Sequence, residues 1–183
     1  MGFVEILREF IQNEIRGIYT TTFVRVEEVD EETRRAVVSL KSDSDILIDN
    51  VPVASPFARD GAGLITPVKR GDEGLVFHAK QPLKKQIQAR GEQAAGSERR
   101  FQLEDAILLP MLWLDEDTIP EHNPGEVVLS LGGPDSELGL RMDPETGGFK
   151  LLDASGHGIV SDGQGNFTWY AQDVNVVGEA TEF

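Results

Sequence analysis

The sequence predicts an all-β protein that carries one helix at its N-terminus. Apolar residues recur at helical spacing only in residues 3–16. From Thr20 onward, short apolar runs alternate with polar residues and are separated by turns, as in β-strands. After residue 126 the runs become shorter still, and glycine turns separate them. We therefore divide the chain into an amphipathic helix (residues 1–18), a β-barrel (19–113), an acidic linker that contains proline (114–126) and a second β segment (127–183).

The composition limits the kinds of function. The 183 residues include 32 acidic and 17 basic ones, which gives a net charge of −15. Binding to nucleic-acid phosphates or to an anionic membrane needs clustered Lys and Arg, so this surface argues against both. The absence of cysteine excludes disulfides, thiolate zinc sites and cysteine catalysis. An acidic, lysine-poor surface also indicates a protein that works in concentrated salt, where self-repulsion is screened.

The N-terminal helix is predicted by a single apolar stripe and ends near Gly17. The stripe either packs on its own domain or docks on a neighbouring molecule, and the sequence supports the two interpretations equally. The residues that we assign to docking are Phe3, Leu7, Phe10 and Ile11.

Five or six short strands are predicted between residues 20 and 113. Alternation in residues 20–29 and 36–40 predicts a hairpin, and a polar turn over residues 69–74 precedes a buried strand over residues 75–77. The strand count fits a five-stranded Greek-key barrel of the OB type. The residues predicted to shape the barrel turn are Gly71, Asp72 and Gly74.

Residues 127–183 predict an oligomer. Their apolar runs are too short to enclose a core within one chain. Repeated units of this kind bury their apolar faces by stacking or winding with other chains, and a trimeric, intertwined β-helix or β-prism is the closed solution. The side chains predicted to fill this needle are Phe149, Leu151, Ile159, Phe167, Trp169, Val174 and Val176.

Three segments, in this order, resemble the N-terminal barrel of the phage baseplate central-spike proteins, also called baseplate assembly protein V or membrane-piercing spike proteins. The segments are Ile48–Val53, Pro67–Phe77 and Arg100–Pro110. The glycine-rich stretches Leu152–Ile159 and Asp162–Asn166 are similar to the β-helical needle of that family. The resemblance covers residues 19–113 by motif and residues 127–183 by composition only.

The resemblance implies a homotrimer in the virion, at the baseplate of the tail, that is assembled in the host cytoplasm. Its barrel would seat on the tail hub, and its needle would point at or pierce the host envelope. Many such spikes end in a His-x-His motif, where three chains hold an iron ion. Here His157 stands alone, so no cofactor or apical metal is carried over. A surface turn is the favoured interpretation of His157, with a metal ligand on the trimer axis as the alternative. The needle is short, which leaves room for a separate tip protein.

A basic stretch stands out against the acidic background of the chain. It is either a solvated loop or a surface that docks on an acidic part of the hub, and the sequence supports both equally. Its residues are Lys80, Lys84, Lys85, Arg90, Arg99 and Arg100.

Two other classes of function compete with the spike. His78, His122 and His157 lie in no catalytic motif, so we assign no catalytic residue and expect no enzyme activity. The stronger alternative is an OB-like module that recognises carbohydrate or a receptor on the cell surface. Its candidate stacking residues are Trp113, Trp169 and Tyr170.

Overall fold

The computed structural model describes residues 2–16, 18–88, 90–94, 100–110, 112–133 and 136–172. The described residues are mostly β, and the longest helix among them lies at the N-terminus, which confirms the coarse fold class. It divides into two compact units, Met1–Leu112 and Trp113–Phe183.

The first unit contains the helices α1 (Phe3–Arg16) and α2 (Leu83–Gln86) together with seven strands. The strands are β1 (Thr21–Asp30), β2 (Arg35–Leu40), β3 (Asp43–Pro52), β4 (Ala58–Arg59), β5 (Ala62–Gly63), β6 (Glu73–His78) and β7 (Ala106–Leu109).

Five of these strands form one antiparallel sheet in the order β3-β2-β1-β6-β7. The two edges of the sheet meet, because Val53 forms a parallel bridge with Leu108. The amide of Ala54 also donates to the Leu108 carbonyl at 2.8 Å. The sheet therefore closes around a core supplied by alternate residues of its strands. The fully buried members of this core include Val24, Val26, Val38, Val76 and Leu108.

The short helix α2 lies within the basic stretch, for which the sequence predicts no helix. Leu83 is buried, and its amide donates to the Asp105 carboxylate at 2.9 Å. This contact joins residues that are 22 positions apart, so no local pattern could reveal it.

The second unit is a five-stranded antiparallel meander in the order β12-β11-β10-β9-β8. The strands are β8 (Val127–Ser130), β9 (Gly139–Asp143), β10 (Gly148–Leu152), β11 (Gly158–Ser161) and β12 (Phe167–Tyr170). Short turns separate β9, β10, β11 and β12, and in two of them Gly147 and Gly163 have φ values of 70° and 73° that only glycine adopts without strain.

The second unit has no apolar core in the part of it that the structure describes. Every buried hydrophobic side chain among the described residues belongs to the first unit. The five strands form one layer, whereas a stable domain packs at least two layers around a core. The trimeric needle remains a prediction. It is a way to supply the second layer that this sheet lacks.

Candidate functional site: the apolar face of the C-terminal sheet

The strand register sorts the side chains of the C-terminal sheet into two faces. Residues directly opposite each other on antiparallel strands share a face, and so do residues two apart on one strand. One row of opposed residues runs from Leu129 to Trp169, and a second runs from Val127 to Phe167. Both rows lie on the same face, which we call the apolar face. Its members are Val127, Leu129, Leu140, Met142, Phe149, Leu151, Ile159, Phe167 and Trp169, together with Ser161.

The apolar face is uncovered in the single chain. Trp169 is 64% exposed, Phe167 61% and Leu151 51%. The rings of Phe149 and Phe167 pack edge to face, with their centroids 6.1 Å apart. A contiguous apolar surface of this kind marks a site of association in soluble proteins.

The opposite face of the sheet is partly covered by the linker. The Arg141 guanidinium donates to the Glu121 carbonyl at 2.9 Å and lies 3.4 Å from the Glu126 carboxylate. The Asn123 amide also donates to Glu126, at 3.0 Å. The hydrogen bond from the Asn123 amide is the main cause that lowers the pKa of Glu126, and Arg141 lowers it further. Glu126 therefore stays charged beside the guanidinium. This clamp holds the linker on one side of the sheet only.

Two open cavities of about 320 Å³ and 360 Å³ lie beside Arg141. The three aromatic residues proposed for carbohydrate stacking do not line them. Trp169 and Tyr170 are neighbours on one strand, so their side chains point to opposite faces. They therefore do not form a common platform, although both are exposed, as is Trp113.

Helix α1 presents its predicted stripe to solvent. Phe3 is 78% exposed, Phe10 61%, Ile11 47% and Leu7 45%. The helix has 14 residues, and a helix of that length is only marginally stable in water without packing partners. The stripe is thus a second surface that the single chain leaves bare.

The three residues assigned to the barrel turn occupy two kinds of position. Gly71 has φ 95° in the turn, and the Asp72 carboxylate accepts from the Lys69 amide at 2.7 Å. Gly74 lies inside strand β6, opposite Val24. A Cβ at Gly74 would come within 2.7 Å of the Leu109 carbonyl oxygen, so this glycine permits a close approach of the backbones.

His157 belongs to a turn. Its amide donates to the Asp153 carboxylate at 3.0 Å, and its Nδ1 lies 3.5 Å from the same carboxylate. The bond from the His157 amide is the main cause that lowers the pKa of Asp153. The described residues contain no group of three or more His, Cys, Asp or Glu that could hold a metal ion. Val174 and Val176 lie outside the described residues.

Sequence reasoning assigned only part of the apolar face. It named five members, on β10, β11 and β12, and missed the four on β8 and β9. Leu140 and Met142 alternate with polar neighbours, which is a visible strand signal, whereas Val127 and Leu129 flank the apolar Val128 and show no alternation. What the sequence could not show is that β8 and β9 join the same sheet with their apolar side on the same face.

The described helices include none that is long and apolar enough to cross a membrane. A search of curated proteins finds no match to this chain. A family model matches residues 20–111, which is half of the chain and includes every strand that the structure describes in the first unit. The match identifies a phage protein of the tail or baseplate type, associated with the virion and structural in role. The chain belongs to the family described as the phage protein Gp138 N-terminal domain.

Proposed function

We propose that this chain is the homotrimeric central spike of a phage baseplate. Residues 19–113 form an OB-type barrel that seats on the tail hub, and residues 127–183 form a needle directed at the host envelope. Its work is mechanical: it needs no cofactor and catalyses no reaction. The observation that carries the proposal is the bare apolar face of the C-terminal sheet.

The two faces of that sheet differ in a way that favours a small closed assembly. The linker covers part of one face through the Arg141 clamp, whereas the apolar face is bare, so the apolar face is the side that we expect to pack on another chain. A sheet with one exposed apolar face pairs with a second copy or closes with other copies around an axis, whereas a sheet with two exposed apolar faces would stack without limit. Three copies that turn their apolar faces to a common axis supply the layer that each chain lacks.

The first unit supports the barrel and its place in the tail. Its strand order and the parallel contact between Val53 and Leu108 fit a five-stranded Greek-key barrel of the OB type. The family match over the same residues supports a tail or baseplate protein. The seating on the hub and the piercing of the envelope rest on the resemblance to the central-spike proteins.

The test is the mass of the full chain in solution, measured by light scattering on a sizing column. We expect three times the chain mass of 20.1 kDa. Trp169→Glu places a charge on the apolar face and should weaken the trimer by at least about tenfold, because a buried unpaired charge is strongly unfavourable. Thr168→Glu is the matched control, since Thr168 directly precedes Trp169 on the same strand and lies on the opposite face.

Circular dichroism of both variants shows whether the strands still form. A second substitution on the apolar face, Leu151→Glu, guards against a local effect of losing the tryptophan. A wild-type chain that is monomeric at every concentration and salt, or Trp169 and Thr168 variants that associate equally well, would rule out the spike.

The exposure of Trp113 (59%) and Trp169 (64%) favours a second candidate, a binding module for carbohydrate or a receptor on the cell surface. A monomer that binds glycans through Trp113, and loses that binding in Trp113→Ala, would replace the spike with this function.

A further inference from the structure

The basic stretch lies at one end of the closed sheet of the first unit. Strand β6 ends at His78 and β7 begins at Ala106, and these two residues lie opposite each other in the register. The chain between them therefore leaves and re-enters the sheet at the same end. Residues 80–104 contain six basic and three acidic residues, whereas the rest of the chain contains 11 basic and 29 acidic ones. The described cations of the stretch are Lys80, Lys84, Lys85, Arg90 and Arg100, and Arg99 lies outside the described residues.

One buried residue, Asp105, attaches the basic stretch to the barrel. It is 3% exposed, and its carboxylate accepts from the Leu83 amide at 2.9 Å. Its carbonyl accepts from the Ala79 amide at 2.7 Å, and its own amide donates to the Gln102 carbonyl at 3.2 Å. Leu83 is itself buried, which fixes the start of α2. The cations are therefore carried by backbone that is attached to the barrel at residues 79, 83 and 102, rather than by an independent loop.

The five described cations are available to a partner. Each of them is exposed, and none makes an ion pair with an acidic residue that the structure describes. The stretch therefore presents a local positive surface on a chain whose net charge is −15. A local reversal of charge of this kind steers association with an oppositely charged surface and fixes the orientation of the complex.

The chain leaves the first unit from the opposite end of β7. Leu109, the last residue of this strand, lies opposite Leu75, whereas Ala106 lies opposite His78. At about 3.4 Å per residue, the two ends of β7 are about 10 Å apart. The connection to the second unit therefore does not start beside the cations, and the end of the sheet that carries the basic stretch is separate from the exit of the chain.

An acidic protein surface fits the basic stretch better than a nucleic acid or an anionic membrane does. At about 0.1 M salt, charges act over a Debye length of about 10 Å. A protein can present a local acidic patch that meets the basic stretch alone. A nucleic-acid duplex or a membrane spreads its negative charge over a larger area and would also meet the acidic rest of the chain. Single-stranded nucleic acid needs aromatic side chains for stacking, and residues 80–104 contain only one, Phe101.

We infer that the basic stretch is the surface by which the barrel docks on the tail hub, and that the hub offers it an acidic patch. This inference rests on the proposed function and adds to it the docking surface and the chemistry of the partner. The orientation follows from the charges, because only this end of the sheet carries a surplus of positive charge over so many consecutive residues. Ion pairs that are partly buried in a contact are screened less than exposed charges, so the docking is compatible with concentrated salt.

The probe is a preparation of tails assembled in cells infected with a phage that lacks the gene for this chain. The full-length chain is added to these tails, and its binding is measured by co-sedimentation over a range of concentrations. We expect the wild type to bind, and the double variant Lys84→Glu with Lys85→Glu to bind at least about tenfold more weakly, because each reversal replaces an attraction by a repulsion. The variant Lys84→Arg with Lys85→Arg keeps both charges and should bind like the wild type.

The matched control carries Lys69→Glu with Arg70→Glu. These two residues are also adjacent, basic and exposed, but they precede the start of β6 and so lie away from the basic stretch. The control should bind like the wild type. Circular dichroism and light scattering show whether each variant keeps its fold and its assembly. If the first double variant fails to fold, Lys80→Glu with Arg100→Glu tests the same surface.

The outcomes separate the inference from the proposed function. Equal binding by the wild type and the reversal variants would overturn the inference and leave the spike intact. Loss of the trimer in a folded reversal variant would mean that the basic stretch holds copies of the chain together, and would also overturn it. So would wild-type binding to duplex DNA or to vesicles that contain phosphatidylglycerol, if the reversal removes that binding. A trimeric wild-type chain that does not bind the tails would remove both the inference and the proposed seating on the hub.

Discussion

At the scale of single residues, His78 is a buried group whose surroundings shift its pKa. It is 7% exposed at the end of β6, and its Nε2 lies 3.2 Å from the Thr22 hydroxyl. Its Nδ1 has no hydrogen-bond partner in the part of the chain that the structure describes. Burial lowers the pKa of His78 below its ordinary value of 6.5, although nearby backbone carbonyls at residues 102–103 and the charge of Asp105 act in the other direction.

The neutral state of His78 makes the stability of the first unit depend on pH. A histidine whose pKa is lowered by folding binds protons more readily in the unfolded chain. Its contribution to the free energy of unfolding is therefore complete above pH 6.5 and is lost as the pH falls through the pKa of His78 in the folded chain. We expect the urea midpoint of the wild-type chain to fall between about pH 7.5 and pH 5, and His78→Gln to flatten this dependence. His122→Gln, at an exposed position, is the control. An unchanged pH dependence in His78→Gln would contradict the assignment.

At the scale of elements, the close approach of β8 and β9 depends on a glycine. Gly139 lies opposite Ser130 in the register, and a Cβ at this position would overlap the Leu129 carbonyl oxygen. The obstacle is backbone, which cannot move aside as a flexible side chain can. A residue with any side chain therefore forces the two strands apart at this point.

We expect Gly139→Ala to destabilise the C-terminal sheet by about 1–3 kcal/mol, the usual effect of overpacking. The measurement is thermal unfolding followed by tryptophan fluorescence. Both tryptophans, Trp113 and Trp169, belong to the second unit, so the signal reports that unit alone. Ser130→Ala, on the facing strand, should change the stability by less than about 0.5 kcal/mol. A wild-type midpoint for Gly139→Ala would show that the strands do not approach so closely.

At the scale of the whole molecule, the net charge of −15 opposes the assembly of three copies. Like charges repel over a Debye length, which falls from about 10 Å at 0.1 M salt to about 3 Å at 1 M. In the proposed trimer the attraction comes from the apolar face, because the removal of apolar area from water drives association. The balance between these two effects is set by salt, which fits a protein adapted to concentrated salt.

Raising NaCl from about 0.1 M to about 1 M should therefore favour the trimer and lower the concentration at which it dissociates. Analytical ultracentrifugation over a dilution series measures this shift. Sucrose at the same osmolality is the control, because it does not screen charge. A trimer that dissociates as salt rises would indicate that ion pairs between chains hold it together, contrary to the apolar face proposed here.

Local patterns were enough to predict the secondary-structure elements and the apolar character of the C-terminal segment. Spacing alone located α1 and the strands around Val24, Phe149 and Phe167, because secondary structure follows from which side chains recur at periods of 3.6 or 2. The shortness of the runs after residue 126 also predicts that this segment needs partners, and this stays a prediction. These inferences depend only on neighbours along the chain.

The tertiary structure decided which strands meet and which side chains share a face. Closure of the first sheet depends on Val53 reaching Leu108, and the apolar face depends on Val127 and Phe167 lying on one side of the sheet, 40 residues apart in sequence. Helix α2 likewise depends on a bond from Leu83 to Asp105. Such pairings are set by the packing of distant segments, which competes with local preference and leaves no periodic signal in the sequence.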